Sequence, residues 1–148
     1  ITYFVPSYFN NINLLYPMLT VSLIAILANN LPLKKYYKTV FIMGLIYDIL
    51  YSNIFLYNAF LFLLISKINT KIFKVLKQSL FLNILVTVLN IIIYDTITFL
   101  LIKFSNYQTI DFFDLIYKLK NSLLLNILIV FVYYFYFKKI NSHHRIKW

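Results

Sequence analysis

The sequence predicts an all-α integral membrane protein, a helical bundle with five spans in the residues given and six in the full protein. Three observations carry that expectation. Hydrophobic residues make up 62% of the 148 and charged residues 12%, where a soluble domain carries roughly 25% charged. The 14 Lys and Arg fall mostly in short clusters, and the apolar runs between them are close to the roughly 20 residues that cross a bilayer. Ile, Phe, Tyr, Asn and Lys make up more than half of the chain, against one glycine and three prolines, a bias of the kind an AT-rich bacterial genome imposes. That bias discounts the abundant Tyr and Asn as marks of a site. It also puts bulky side chains where small ones usually let membrane helices approach.

Each span is set by the residues that bound it. The first covers 12–33 and is ended by Asn29, Asn30 and Pro32, with Pro17 about one turn in, where a proline is tolerated. Lys34, Lys35 and Lys38 follow, and then the run 39–66, too long for one comfortable span and interrupted by Asp48, Ser52, Asn53 and Asn58. It reads as two short helices joined near Ser52 and Asn53. Charge placement decides this, because cytoplasmic loops are enriched in Lys and Arg. With two helices there, the clusters Lys34/Lys35/Lys38, Lys67/Lys71/Lys74/Lys77 and Lys138/Lys139/Arg145/Lys147 all fall on one side. The remaining spans are 78–102 and 121–137, separated by an outer segment, 103–120. Within that segment, 109–119 reads as a short amphipathic surface helix with Ile110, Phe113, Ile116 and Tyr117 on one face. The start of the chain is then outside and its end cytoplasmic, and 1–148 forms a single polytopic transmembrane domain without an internal repeat. The first residue is Ile1 rather than Met, which reads as a missing start and a missing preceding span.

Catalytic chemistry finds no support in the residues present. Cysteine is absent, which removes disulfides, Cys-ligated zinc and thiol catalysis. There is no glycine-rich phosphate loop, no paired Glu and no Ser/His/acid grouping. The sequence therefore calls for no enzyme activity, no cofactor, no metal ion and no nucleic-acid partner. His143 and His144 are adjacent in a basic tail without carboxylate company, a weak metal signal.

Asp48 has the most to explain, since a carboxylate at a helix centre costs about 2.5–3.5 kcal/mol even on a lenient insertion scale. Placed one turn before the outer end of its helix, it can be wetted from outside or accept hydrogen bonds from Asn53, Asn58 or the start of the next helix. An ion or proton site is the functional reading; a structural polar clasp is preferred, because an isolated acid without a buried basic partner makes a poor relay. Asn83, Thr87, Asn90, Tyr94 and Thr98 lie along one face of the fourth span. They form a polar seam, read as packing contact rather than a ligand pocket, with Asn126 and Ser122 of the last span as its expected partners. Asp95 is placed at the outer interface, simply solvated. The lysines from Lys67 to Lys77 form one basic helical face, read as a topology determinant rather than a specific lipid or protein dock.

The stretch Phe41-Ile42-Met43-Gly44-Leu45-Ile46-Tyr47-Asp48, followed by Tyr57 and Ala59 in a new apolar run, resembles the rod-shape-determining MreD family. That family typically ends a short helix with Gly-x-x-aromatic/apolar-Asp and opens the next with a Gly-x-Tyr-type start; here Leu56 stands where Gly is usual. Ser122-Leu123-Leu124-Leu125-Asn126 is similar to the family's Pro-Thr-x-x-x-Asn entry into its final helix, with Asn121 in place of the Pro. The resemblance implies a non-catalytic subunit of the bacterial cell-elongation machinery in the cytoplasmic membrane. Its implied partners are an MreC-like protein, and through it peptidoglycan synthases and MreB-like filaments, besides membrane lipids. Gly44, Asp48, Asn53, Tyr57, Asn83, Thr87, Asn90, Ser122 and Asn126 are the candidate helix-packing and partner residues. The six-helix fold of the family is similar to the substrate-binding subunits of energy-coupling-factor transporters. The alternative is therefore a vitamin-binding transporter subunit, with Asp48, Asn53, Asn58, Tyr94 and Asp95 lining a pocket near the outer face.

Overall fold

A computed structural model describes residues 18–51, 55–76, 79–105 and 111–145, without the side chains of Tyr51, Leu124 and 141–145. Every regular element among them is an α-helix: α1 (Leu19–Asn30), α2 (Leu33–Tyr51), α3 (Tyr57–Val75), α4 (Leu80–Phe104) and α5 (Phe112–Arg145). Pro17, Ser52, Asn53, Lys77, Gln78, Lys147 and Ile110 lie outside the described residues.

The long run 39–66 is broken between Tyr51 and Tyr57, as the charge argument requires. Local chemistry sets the other boundaries too. Leu31, which precedes Pro32, is extended at φ −119° and ψ 146°, the region a following proline favours, so α1 stops and α2 starts within two residues. Ser79 caps α4, its hydroxyl accepting from the Leu82 N–H at 3.1 Å. Asp114 opens α5 by accepting from the Asp111 N–H at 3.0 Å, the carboxylate half of a capping box.

Two expectations change. Lys34, Lys35 and Lys38, read as a cluster between two spans, lie in the first turns of α2, whereas Lys67, Lys71 and Lys74 lie in the second half of α3, on a helix as their spacing predicts. The surface helix expected at 109–119 and the span at 121–137 are one helix, α5, 34 residues long. Its sequence contains neither Pro nor Gly, and Asn121 stands where a proline would have interrupted it, so nothing stops propagation from the amphipathic part into the apolar part.

Among the described residues two helices are long and apolar enough to cross a membrane, Leu80–Phe104 and Phe112–Ile140. α2 and α3 have 19 residues each, but their lysines, with Asp48 in α2, hold them below that composition. α1 has 12 residues, about 18 Å at 1.5 Å per residue. It is the hub: α1 packs against each of the other four helices. Val21 and Ile24 of α1 join Tyr36 and Val40 of α2, Phe62 and Ile65 of α3 and Ile91 of α4 in the main core. The Tyr36 hydroxyl, buried, donates to the Ile24 carbonyl at 3.1 Å.

Leu56 is the residue before α3, with φ 71° and ψ −4°. A side chain in this left-handed region costs about 1–2 kcal/mol, a penalty glycine escapes. Leu56→Gly should therefore match or exceed the thermal stability of the unsubstituted protein by up to about 1 kcal/mol, after the extra chain entropy of glycine is deducted. Leu56→Ile, branched at Cβ, should unfold at lower temperature. Melting both variants in the same detergent checks this, and a destabilised Leu56→Gly would contradict it.

Candidate functional site

Gly44 and Asp48 are one turn apart on the same face of α2. A Cβ built on Gly44 would lie 2.4 Å from Ala59 Cα and 2.8 Å from Ala59 N, so the backbones of α2 and α3 touch there and only glycine fits. That closeness brings Asp48, 2% exposed, onto the N-terminus of α3. Its Oδ1 accepts from the Asn58 backbone N–H at 2.9 Å and from Asn58 Nδ2 at 2.8 Å, and its Oδ2 accepts from the Ala59 N–H at 3.1 Å. Leu56 supplies no side-chain cap, so the carboxylate of α2 caps α3, filling the role a Ser or Asp at the N-cap normally has. The positive end of the α3 dipole faces this carboxylate, a favourable placement.

The clasp extends into α4. Tyr94 Oη donates to Asn58 Oδ1 at 2.8 Å, giving a chain Tyr94–Asn58–Asp48 across three helices. One turn further out, Thr98 gives its hydroxyl proton to the Tyr94 carbonyl at 2.8 Å. Tyr57 Oη, 3.0 Å from Thr98 Oγ1, is therefore the donor in that pair.

Asn83, Thr87, Asn90 and Tyr94 of the α4 seam are buried and Thr98 half-buried, and the seam meets α1 and α3. Asn83 Oδ1 accepts from Asn29 Nδ2 on α1 at 3.3 Å, while Thr87 bonds back to the Asn83 carbonyl at 2.8 Å. Asn90 is fully buried, and neither atom of its amide has a hydrogen-bond partner. Asn126 has a partner on α1: Ser22 Oγ donates to Asn126 Oδ1 at 2.9 Å. Asn126 Nδ2 bonds the Ser122 carbonyl at 2.6 Å, and Ser122 Oγ bonds the Leu119 carbonyl. α5 packs against both α1 and α4, and the bond between Ser22 and Asn126 is made to α1. Asn53 lies outside the described residues.

Asp95 is a correction. It is fully buried rather than solvated, and its Oδ1 is 2.8 Å from Nζ of Lys118 on α5, itself 5% exposed. Treating 103–120 as a separate outer segment hid this pair. With α5 continuous, Leu115, Lys118, Ser122 and Asn126 form one buried helical stripe, and carrying the periodicity of the last span back through Asn121 would have found Lys118 on it.

Chemically, these groups hold helices together. The side chains named for a vitamin pocket bond to one another in Asp48, Asn58 and Tyr94, or to Lys118 in Asp95. Among the described residues no group of three or more His, Cys or Asp is placed to hold a metal ion. The side chains of His143 and His144 lie outside the described residues.

The chain matches the family described as rod shape-determining protein MreD over residues 1–140. It belongs to the MreD family. No curated protein and no solved structure matches it. Membership carries a role in rod-shape determination and a place in a membrane-associated, non-enzymatic family. The two signatures that resemble MreD take on physical meaning here. Gly44 and Asp48 close α2 on α3, and Leu56, where MreD usually has Gly, holds a left-handed backbone.

Proposed function

We propose that this chain is a non-catalytic scaffold subunit of the bacterial cell-elongation machinery, multi-pass in the cytoplasmic membrane with its C-terminus inside. It binds an MreC-like protein, and through it peptidoglycan synthases and MreB-like filaments. One observation carries the reading: polarity is inverted. Ser22, Asp48, Asn58, Asn83, Asp95 and Asn126 are buried, while Ile46, Ile49, Phe60, Phe81, Leu128 and Val132 are exposed. In water the informative features are a buried polar group or a large exposed apolar patch, and this chain has both. Its outer surface suits lipid tails and other helices, so its work is lateral contact in the bilayer.

Copurification from native membranes in mild detergent should bring down an MreC-like partner. Gly44→Leu, which forces α2 away from α3, should reduce that recovery far more than Ile46→Leu at an exposed position of the same helix. Recovery of the unsubstituted protein alone would count against the scaffold. A copurified vitamin in its native mass spectrum would favour the transporter subunit instead.

Orientation is tested separately. Single cysteines introduced into the Cys-free chain at Ser7, Asn53 and Gln108 should react with an impermeant reagent on intact cells, and those at Lys71 and Ser142 only after lysis. Labelling at position 71 on intact cells would overturn the five-span arrangement.

A further inference from the structure

The first turns of α2 and the last turns of α3 lie side by side, because the hydroxyls of Tyr37 and Thr70 are 2.9 Å apart. This juxtaposition gathers Lys34, Lys35, Lys38, Lys67, Lys71 and Lys74 at one pole of the bundle, all exposed. All four acids of the chain lie towards the other pole. Asp48 is near the end of α2, Asp95 is paired with Lys118, and Asp111 and Asp114 stand at the start of α5. Among the described residues none of the six lysines has an ion-pair partner.

Such an arrangement is frustrated within the chain itself. Lys34–Lys38 and Lys67–Lys71 are like charges four apart on a helix, and Lys35–Lys38 and Lys71–Lys74 are three apart, spacings that repel. The three lysines of α2 also sit at the positive end of its dipole, with no acid in the first turn. Among the described residues no negative charge at this pole offsets them. Apolar side chains are exposed among the lysines: Leu33 is 59% exposed, Val75 82% and Leu76 50%. Lysines mixed with exposed aliphatic residues match the boundary between phosphate headgroups and acyl chains, whereas a soluble acidic segment would leave those aliphatic groups in water.

We infer that the paired ends of α2 and α3 form a docking surface for anionic phospholipids, with the lysines on the phosphates and Leu33, Val75 and Leu76 at the acyl boundary. This goes beyond orientation in the membrane, which requires positive charge but no selection among lipids. It rests on the membrane placement proposed above and not on the scaffold reading.

The test is lipid retention by the full chain, reconstituted in nanodiscs of equal phosphatidylglycerol and phosphatidylcholine and released for native mass spectrometry. Phosphatidylglycerol should be retained about tenfold over phosphatidylcholine. Lys34→Gln/Lys38→Gln/Lys71→Gln/Lys74→Gln, with helicity checked by circular dichroism, should lose the preference. Lys103→Gln/Lys120→Gln, at the other pole, should keep it, and added salt should weaken it in the unsubstituted protein. Equal retention of the two lipids, or equal loss in both variants, would overturn the inference while leaving the membrane placement standing. Retention of neither lipid would overturn both. Binding of a polyglutamate peptide without any lipid selectivity would overturn it in favour of an acidic protein partner.

Discussion

Asp48→Ala should separate α3 from α2 and destabilise the bundle by at least about 3 kcal/mol, since it strips the acceptor from three buried donors and each unpaired donor costs about 1–3 kcal/mol. Two of the three are backbone N–H groups in the first turn of α3, those of Asn58 and Ala59. They cannot swing away to find water. The third is the Asn58 amide, whose oxygen holds Tyr94, so the loss reaches α4 as well. Asp48→Asn is the informative companion. Its carbonyl can replace Oδ1 and serve both Asn58 donors, but its NH2 then faces the Ala59 N–H, leaving one mismatch of about 1–3 kcal/mol. Thermal unfolding followed by helicity should rank the proteins as unsubstituted, then Asn, then Ala. An Ala variant as stable as the unsubstituted protein would mean that the carboxylate does not hold these helices.

Lys118→Met is expected to cost about 3–5 kcal/mol, because it leaves the carboxylate of Asp95 buried without its cation. The double substitution Lys118→Met/Asp95→Leu should recover most of that loss, since apolar groups of similar volume often replace a buried ion pair at no net cost. Such recovery separates a desolvation penalty from lost packing: if Met were simply a poor fit beside α4, the double variant would be at least as unstable as the single one. Denaturant titration of the single and double variants in the same detergent measures the difference directly. Equal stability of Lys118→Met and the unsubstituted protein would show that water reaches Asp95.

The sequence made the helices legible more readily than their neighbours. The break after Tyr51 followed from counting charges, and the end of α1 before Pro32 from the proline and its neighbouring asparagines, because both depend on residues close in the chain. Asp48 announced a need for donors, and the start of the next helix was among those named. Its partners could be anticipated because the turn between α2 and α3 is short. Asp95 and Lys118 belong to different helices, and hydropathy carries no information about rotation of one helix against another, so the pair was invisible until α5 was one continuous helix. For the same reason the bond between Asn126 and Ser22 of α1 was not legible in the sequence. Polar composition argued for a break near Asn121, but helix propensity without Pro or Gly prevailed.

The bond between Ser22 and Asn126 joins residues 104 positions apart, and it has a bearing on biogenesis. Ribosomes add about 5–20 residues per second, so at least about 5–20 s separate the emergence of α1 from that of the residue that completes it. Throughout that interval the hub of the bundle exists without its last neighbour, its serine hydroxyl turned towards a helix not yet made. Under the membrane placement proposed above, the insertion machinery would hold α1, 12 residues long and already carrying a polar group, through that interval. Under that placement α1 would gain all its described neighbours only when α5 arrives, so a later helix ends the custody of an earlier one.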